Sequence, residues 1–184
     1  APYATRRVWR VFNIVAPSIE LPVDTDPLAD DYPFSVKPDK PVSPRDLMRI
    51  HRDHYDGTPL DMSKGVAAGP YGDPNRFDPA PVDGMTMMQV LNGSFERSIS
   101  MFRTSTHIVA EARGHLPAAV GARVWLGVYN PAASSYVPFY PASPGQLPDA
   151  YTRGSLFQYD ENVAFWNFCA VGNYAGRFYK YAMQ

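Results

Sequence analysis

The sequence predicts an α+β protein whose helices and strands are joined by long, ordered loops. Two observations lead to this class. Proline accounts for 19 of the 184 residues and aromatic residues for 14%; since disordered proline-rich chains are poor in aromatic residues, we expect these prolines in packed loops. Helix signals occur in the first third and at the end of the chain, whereas segments typical of β-strands fill the second half.

The first element is ambiguous, and the second is a clear helix. Residues 6–19 are rich in Val, Ile and aromatic side chains, and their periodicity fits either a helix or a strand. In residues 20–41, Pro and Asp recur every few positions, which indicates an extended surface loop. Ser43 then suits a helix N-cap, Pro44 suits the first helical position, and Gly57 supplies a stop. The sequence therefore predicts a helix between Ser43 and Gly57.

A long loop and then a sheet follow this helix. Residues 58–81 are interrupted throughout by glycine and proline, and so long an irregular stretch inside a compact protein is usually functional. Later segments rich in β-branched and aromatic residues predict strands, the last two forming a hairpin. The predicted strands are residues 85–91, 96–105, 107–113, 123–129 and 135–140.

The chain ends in a predicted helix over approximately residues 161–183, with Asp160 as its N-cap. Aromatic residues lie around much of the circumference of this helix. We therefore expect the helix to be buried on more than one side, as in a layer packed between other layers.

Charge and hydropathy exclude two classes of partner. The 17 basic and 18 acidic residues give a net charge of -1, so the chain has no basic surface of the kind that binds nucleic acid or anionic membranes. No segment approaches the roughly 18 apolar residues of a membrane helix, and the first seven residues do not resemble a secretory signal. We expect a soluble protein without nucleic-acid or membrane partners. A cytoplasmic location and a lysosomal or secreted one both remain open.

Two residue types invite a functional reading that their contexts do not favour. His51 and His54 are close enough on the predicted helix to share a metal ion, but the Glu and the spacing of a zinc-protease helix are missing. We expect both to form local hydrogen bonds, and we predict neither a metal nor a cofactor. Cys169 lies among aromatic residues of the last helix, where a thiol is usually a small buried hydrophobe with a raised pKa. We do not assign it as a nucleophile.

Four loop carboxylates and two arginines are further candidates. The carboxylates could suggest a glycosidase pair or a calcium site, but their spacing does not match a calcium loop, and loop carboxylates most often cap turns. Arg97 and Arg103 are six residues apart in the predicted strand 96–105, which would place them on the same face. A guanidinium there could bind a carboxylate, and an ordinary ion pair across the sheet fits equally well. The four carboxylates are Asp56, Asp61, Asp73 and Asp78.

Three segments resemble the central motifs of the cysteine dipeptidases to which the secernins are related. These are YPFSVKPD at residues 32–39, RDHYDGTPLD at residues 52–61 and GPYGDPNRF at residues 69–77. The resemblance continues in the family's order through Glu96–Ser100 and on to the last helix. It therefore spans nearly the whole chain, and the block between residues 52 and 77 is highly specific.

The resemblance implies an αββα sandwich of the N-terminal-nucleophile hydrolase superfamily and a thiol protease that cleaves dipeptides. In that family, removal of a leader exposes an N-terminal cysteine whose own α-amine serves as the base. By its matching position, Arg97 resembles the strand arginine that approaches the nucleophile. The resemblance also offers Arg103 and the loop residues Asp56, Thr58 and Asp61 as substrate-binding candidates.

Position 1 is Ala1, which has no nucleophilic side chain. We therefore expect residues 1–184 to be a portion of a single dipeptidase domain, with the nucleophile segment and the C-terminal end elsewhere in the protein. Because half of the sandwich would then be absent, we do not expect this portion to fold unaided. The expected partners are a dipeptide substrate and the remaining segment of the same protein; a homo-oligomer is left open.

Two alternatives stay open at this point. The protein could be a catalytically inactive, secernin-like binding protein with a role in secretion, or an autonomous chain that starts at Ala1. The residue at the mature N-terminus distinguishes the first alternative from the enzyme, because only the enzyme requires cysteine there. The mass of the purified protein tests the second, because a second, co-purifying fragment is expected only if a longer enzyme was cut.

Overall fold

A computed structural model describes residues 2–23, 32–75, 96–142 and 145–183. Within these residues the protein is α+β, as predicted: helices accompany a three-stranded antiparallel sheet. The helices are α1 (Pro2–Val15), α2 (Pro44–His51), α3 (Ala118–Gly121), α4 (Asp149–Thr152), α5 (Ala164–Arg177) and α6 (Tyr179–Ala182). The strands are β1 (Thr106–Ala112), β2 (Ala122–Val128) and β3 (Val137–Phe139), and short 3-10 turns occupy Pro17–Ile19 and Val66–Ala68.

The ambiguous first segment is a helix, and it contributes to the main hydrophobic cluster of the described residues. Trp9 of α1 packs there with Tyr55 and Met62, all three of them almost fully buried. The Trp9 indole Nε1 donates to the carbonyl of Leu21 at 2.9 Å, so the polar atom of this buried ring has a partner. Burial of large aromatic side chains therefore holds α1 against the segment that follows α2.

The start of α2 agrees with the prediction, whereas its end does not. Ser43 and Asp46 form a capping box, in which the Ser43 hydroxyl accepts from the Asp46 backbone N–H and the Asp46 carboxylate accepts from the Ser43 N–H. The helix ends at His51, well before the predicted stop at Gly57. Tyr55 instead adopts a left-handed backbone conformation, with φ of 64°, which turns the chain sharply toward the loop.

The sheet confirms the predictions for the strand at 107–113 and the hairpin at 123–129 and 135–140. β1 and β2 pair in antiparallel register from Thr106 opposite Val128 to Ala112 opposite Ala122. β3 extends the sheet on the other edge of β2. The predicted strand at 85–91 and the loop carboxylate Asp78 lie outside the described residues.

The predicted strand at 96–105 is wrong. Its backbone hydrogen bonds go to loops and turns instead of a neighbouring strand: Ser100 N donates to the Asp53 carbonyl at 3.0 Å, and Thr104 N donates to the Met101 carbonyl at 3.0 Å. Without a regular pleat, the inference that Arg97 and Arg103 share one strand face no longer holds.

The C-terminal helix begins three residues later than predicted and is divided in two. Asp160 accepts from the Asn162 N–H in a turn that precedes α5, and Phe178 interrupts the helix between α5 and α6. Burial on several sides is not seen within the described residues, where Val171, Tyr174 and Tyr181 are 53%, 70% and 61% exposed. Across all the residues that the structure describes, no helix is long and apolar enough to cross a membrane.

Candidate active site

A nearly buried ion pair joins α1 to the segment after α2. The Arg10 guanidinium donates to both carboxylate oxygens of Asp53, through Nε at 2.8 Å and Nη2 at 2.6 Å. The two side chains are only 11% and 7% exposed, and Nη2 also donates to the Asp56 carbonyl at 2.9 Å. A bidentate pair of this kind fixes direction as well as distance, so it sets the position of the loop that carries the sequence-predicted site residues.

Tyr55 connects this loop to Arg97. The fully buried Tyr55 donates its hydroxyl to the Arg97 carbonyl at 2.8 Å. Its own carbonyl accepts from the Thr58 hydroxyl at 2.7 Å. Burial raises the pKa of Tyr55, so the hydroxyl stays protonated and remains a donor. Next to Arg97, Glu96 forms an ion pair with Arg6 of α1, which adds a second tie between this segment and the N-terminal helix.

Asp61 and Thr58 use their side-chain oxygens inside the loop. The Asp61 carboxylate, 6% exposed, accepts from the N–H groups of Gly57 and Ser63, from the Ser63 hydroxyl and from the Lys64 ammonium. Burial raises the pKa of Asp61, but the bonds from Ser63, Lys64 and Gly57 outweigh it and lower the pKa to about 2. In the same loop, Thr58 Oγ1 accepts from Leu60 N at 3.1 Å. Both side chains therefore shape the loop, and their contact with a substrate stays a prediction.

Asp56 differs electrostatically from its neighbour Asp61. The residue as a whole is exposed, whereas its carboxyl group is partly desolvated, which raises its pKa. The carboxylates of Asp53 and Asp61 raise it further because like charges disfavour ionisation. Asp56 is thus protonated more readily than an ordinary aspartate, whereas Asp61 is protonated less readily.

The two predicted arginines are in different surroundings. Arg97 is half-buried and belongs to the network through its carbonyl. Arg103 is exposed, and its guanidinium lies over the Phe102 ring, 5.6 Å from the centroid. The structure thus brings Arg97 close to the loop that holds Asp56, Thr58 and Asp61, and it leaves Arg103 outside this set of hydrogen bonds.

A second polar cluster, which the sequence did not reveal, joins α2 to the sheet. His51 Nδ1 lies 2.7 Å from the Tyr136 hydroxyl, and His107 Nε2 lies 3.2 Å from the Ser134 hydroxyl. The His107 and Tyr136 rings meet edge to face, with centroids 4.8 Å apart. Arg52 covers the cluster, with its guanidinium 5.2 Å from the centre of the Tyr136 ring. The cluster is a polar contact between α2 and the sheet.

His54 faces elsewhere, toward the Tyr179 hydroxyl, which lies 3.2 Å from its Nδ1. His51 and His54, which we expected to form local hydrogen bonds, therefore each contact a tyrosine that is distant in sequence. No group of three or more side chains able to hold a metal ion occurs in the described ranges. Cys169 is buried, and burial raises the pKa of its thiol, as predicted.

The histidine cluster predicts a stability loss in mild acid. Burial, with His51 and Arg52 nearby, lowers the pKa of His107 from 6.5 to about 4. His107 resists protonation more strongly in the folded protein than in the unfolded chain. Its contribution to the free energy of unfolding is therefore fully present above pH 6.5 and is lost as the pH falls toward 4. Burial lowers the pKa of His51 as well and adds to the same loss. Asp61 contributes a later loss, between pH 3.8 and about 2.

Urea unfolding of the intact protein at several pH values between about 7.5 and 3 measures this dependence. His107→Gln keeps a polar side chain that does not titrate. The free energy of unfolding of this variant should therefore decline less steeply between pH 6.5 and about 4 than that of the wild type. Equal slopes for the two proteins would show that His107 is not protonated on unfolding in this range.

A match to a known protein family supports the resemblance that the sequence motifs of this site indicated. A family model described as "Peptidase family C69" matches residues 1–184. The chain belongs to peptidase family C69. Membership confirms the resemblance to the cysteine dipeptidases that the motif at residues 52–61 indicated.

Two curated relatives are similar to this C69 chain. A protein named "Dipeptidase" from Bifidobacterium longum (strain NCC 2705) is 28% identical over 158 residues, which cover 82% of this chain and 26% of the relative. A "Probable dipeptidase" from Latilactobacillus sakei is 27% identical over 143 residues, covering 75% of this chain and 24% of the relative. The chain thus spans about a quarter of the length of these relatives.

The sequence did not identify Arg10, Asp53, His107 and Tyr136 as members of polar networks. Arg10 is separated from Asp53 by 43 residues, and His51 from Tyr136 by 85. No periodicity or spacing connects residues so far apart. The signal that pointed to Asp53 was the family motif that contains it.

Proposed function

We propose that the intact protein is a cysteine dipeptidase built as an αββα sandwich, of which residues 1–184 form a portion of a single domain. The observation that carries this proposal is the C69 match over the whole chain. The names of the two relatives support dipeptides as the substrate class. The remaining segment of the same protein completes the sandwich and covers the exposed face of α5 and α6.

In the proposed reaction, the thiolate of an N-terminal cysteine attacks the carbonyl carbon of the peptide bond. A C–S bond forms, the C–N bond breaks, and the leaving amine takes the proton that the α-amine had received from the thiol. Water then attacks the thioester, the C–S bond breaks, and the thiol recovers its proton. Cys169 is 8% exposed and its pKa is raised by burial, so the nucleophile is assigned to another segment of the protein.

Arg97 supplies positive charge next to this reaction. It is half-buried, and Tyr55 and the Arg10–Asp53 pair fix its backbone relative to the loop. A guanidinium held in this way can bind a substrate carboxylate or stabilise the negative charge that develops on the carbonyl oxygen. Asp56, Thr58 and Asp61 form the neighbouring wall, and Arg103 reaches the substrate from the exposed side.

Arg97→Ala in the complete enzyme tests this assignment. We expect kcat/KM for dipeptides to fall by about 100-fold, the scale of losing one charge-stabilising group. Arg97→Lys, which keeps the charge but loses the planar donor pair, should retain an intermediate activity. Dipeptide hydrolysis by the purified variants gives kcat and KM, and urea unfolding shows whether stability has changed.

Arg49→Ala is the matched control, because Arg49 is exposed and pairs with Asp46 on the surface of α2. It should leave kcat/KM within twofold of the wild type. Unchanged turnover in Arg97→Ala, or a loss of stability alone, would contradict the role of Arg97. N-terminal sequencing of the mature protein should show cysteine, and any other residue would contradict the proposed mechanism.

A further inference from the structure

A polar pocket of about 340 Å³ lies between the end of β2, residues 73–75 and helix α5. Its volume lies within the range of about 300–1,000 Å³ that is usual for small-molecule sites. Among the described residues, its walls include none of those that form the Arg10–Asp53 network. The polar side chains that line it are Asp73, Asn75, Asn130, Asn173 and Arg177.

Two glycines of α5 shape one wall of this pocket. A Cβ atom at Gly172 would lie 3.0 Å from the Tyr129 ring, and one at Gly176 would lie 3.0 Å from Asn75 Nδ2. The two glycines are four residues apart and therefore lie on the same side of the helix. Their missing side chains let α5 approach both Tyr129 and Asn75 closely.

The opposite wall is held in place by a strained turn. Tyr129, at the end of β2, has a left-handed backbone with φ of 64°, and its hydroxyl donates to Asn173 Oδ1 at 3.1 Å. Asn130 follows it and is only 4% exposed. Asn130 Oδ1 accepts from Ala132 N at 3.0 Å, whereas its Nδ2 has no hydrogen bond within the described part of the chain. Because Asn130 lines the pocket, its amide nitrogen can donate to a ligand acceptor there.

The pocket carries both signs of charge. Arg177 stands at the C-terminal end of α5, and in the described ranges it makes no ion pair or hydrogen bond through its guanidinium. The Asp73 carboxylate lies beside the same end of the helix, since its two oxygens would be 3.9 and 4.0 Å from a Cβ atom added at Gly176. The buried Phe102 ring adds an apolar surface. Separate positive and negative groups with amides between them match a small zwitterion that contains a peptide bond.

We propose that this pocket binds a dipeptide in its zwitterionic form, with the C-terminal carboxylate on Arg177 and the peptide carbonyl on Asn130 Nδ2. Asp73 accepts from the α-ammonium group, and Phe102 contacts one of the side chains. The inference rests on the proposed function for its substrate class. It assigns carboxylate recognition to Arg177 and leaves Arg97 the other role proposed above, the stabilisation of the negative charge that develops on the carbonyl oxygen.

Calorimetric titration with alanyl-alanine and with its C-terminal amide tests the pocket directly. The titration uses the intact protein after alkylation with iodoacetamide, so that turnover does not contribute heat. Arg177→Gln should weaken alanyl-alanine binding about 10- to 100-fold, the scale of a charge-assisted hydrogen bond. Binding of the amide, which lacks the carboxylate, should change less than twofold. The affinity of Arg177→Lys for alanyl-alanine should lie between that of Arg177→Gln and that of the wild type.

Two further variants separate charge from shape. Arg49→Gln removes an exposed arginine of α2 and should leave both affinities unchanged. Gly176→Ala narrows the pocket next to Asn75, so it should weaken the binding of alanyl-alanine and of its amide alike. Free alanine should bind more weakly than alanyl-alanine, because it has no peptide carbonyl for Asn130. Unchanged affinity for alanyl-alanine in either Arg177→Gln or Gly176→Ala would overturn the proposal.

Failure of the pocket and failure of the dipeptidase function give different results. Turnover of dipeptides by unmodified wild type tests the function, whereas the titrations test the pocket. Turnover without any effect of Arg177→Gln on affinity or KM would refute the pocket alone. Binding that prefers the free acid, without turnover, would support the pocket and refute the function.

Discussion

Replacing Asp53 with alanine should lower the free energy of unfolding of the intact protein by about 3–5 kcal/mol. The substitution leaves the Arg10 guanidinium, 11% exposed, without its carboxylate partner. It also removes the acceptor of the Tyr55 N–H, which donates to Asp53 Oδ1 at 2.8 Å. Both losses occur where water does not easily replace the missing partner. Urea unfolding followed by circular dichroism measures the change.

A double variant shows whether the loss comes from the unpaired charge. Arg10→Met with Asp53→Leu removes both charges and keeps apolar volume, so it should recover much of the stability lost in Asp53→Ala. Arg49→Ala, which breaks an exposed pair with Asp46, should change the free energy of unfolding by less than about 1 kcal/mol. If Asp53→Ala costs no more than Arg49→Ala, the Arg10–Asp53 pair does not fix α1 against the loop.

The features that the sequence predicted well are those encoded by neighbouring residues. The start of α2 follows from Ser43 as N-cap and Pro44 as first helical residue, and Ser43 forms a capping box with Asp46, three residues later. β2 and β3 follow from two adjacent segments rich in β-branched and aromatic residues around a short turn. In both cases the interactions that stabilise the element lie within the segment itself or in the next one.

The features that it missed depend on distant partners. Residues 96–105 have the composition of a strand, yet Ser100 hydrogen-bonds the Asp53 carbonyl and no strand pairs with this segment in the described ranges. The predicted last helix starts too early because Asp160 suits an N-cap; in the structure Asp160 instead closes a turn with Asn162. Local propensity cannot decide between such alternatives when tertiary contacts contribute more.

The candidate site was predicted at the level of a segment and not of individual atoms. The motif at residues 52–61 includes Asp53, Tyr55, Thr58 and Asp61, and all four take part in one hydrogen-bonded loop. Which oxygens bind backbone N–H groups within the loop could not be read from the motif. That distinction depends on the left-handed turn at Tyr55, which the sequence does not indicate because tyrosine rarely adopts it.

Gly127→Ala should be the most damaging single-methyl addition in the sheet, with a loss of about 3 kcal/mol in the free energy of unfolding. Gly127 stands opposite His107 in the β1–β2 register, and the His107 ring lies across it. A Cβ atom at position 127 would lie 2.6 Å from His107 Cε1 and 2.7 Å from Cδ2. The ring cannot easily move away, since it also packs against the rings of Tyr136 and His51.

Gly121→Ala is the matched control, because a Cβ atom there would meet carbonyl oxygens at 3.5 Å, an ordinary contact distance. It should change stability by less than about 1 kcal/mol, and a small gain is expected because alanine favours the helical conformation of α3. Adding His107→Ala to Gly127→Ala should restore part of the loss, since the clash is then absent. If the double variant is as unstable as the sum of the two single variants, His107 and Gly127 are not coupled, and the close approach of ring and strand does not determine the stability of this sheet.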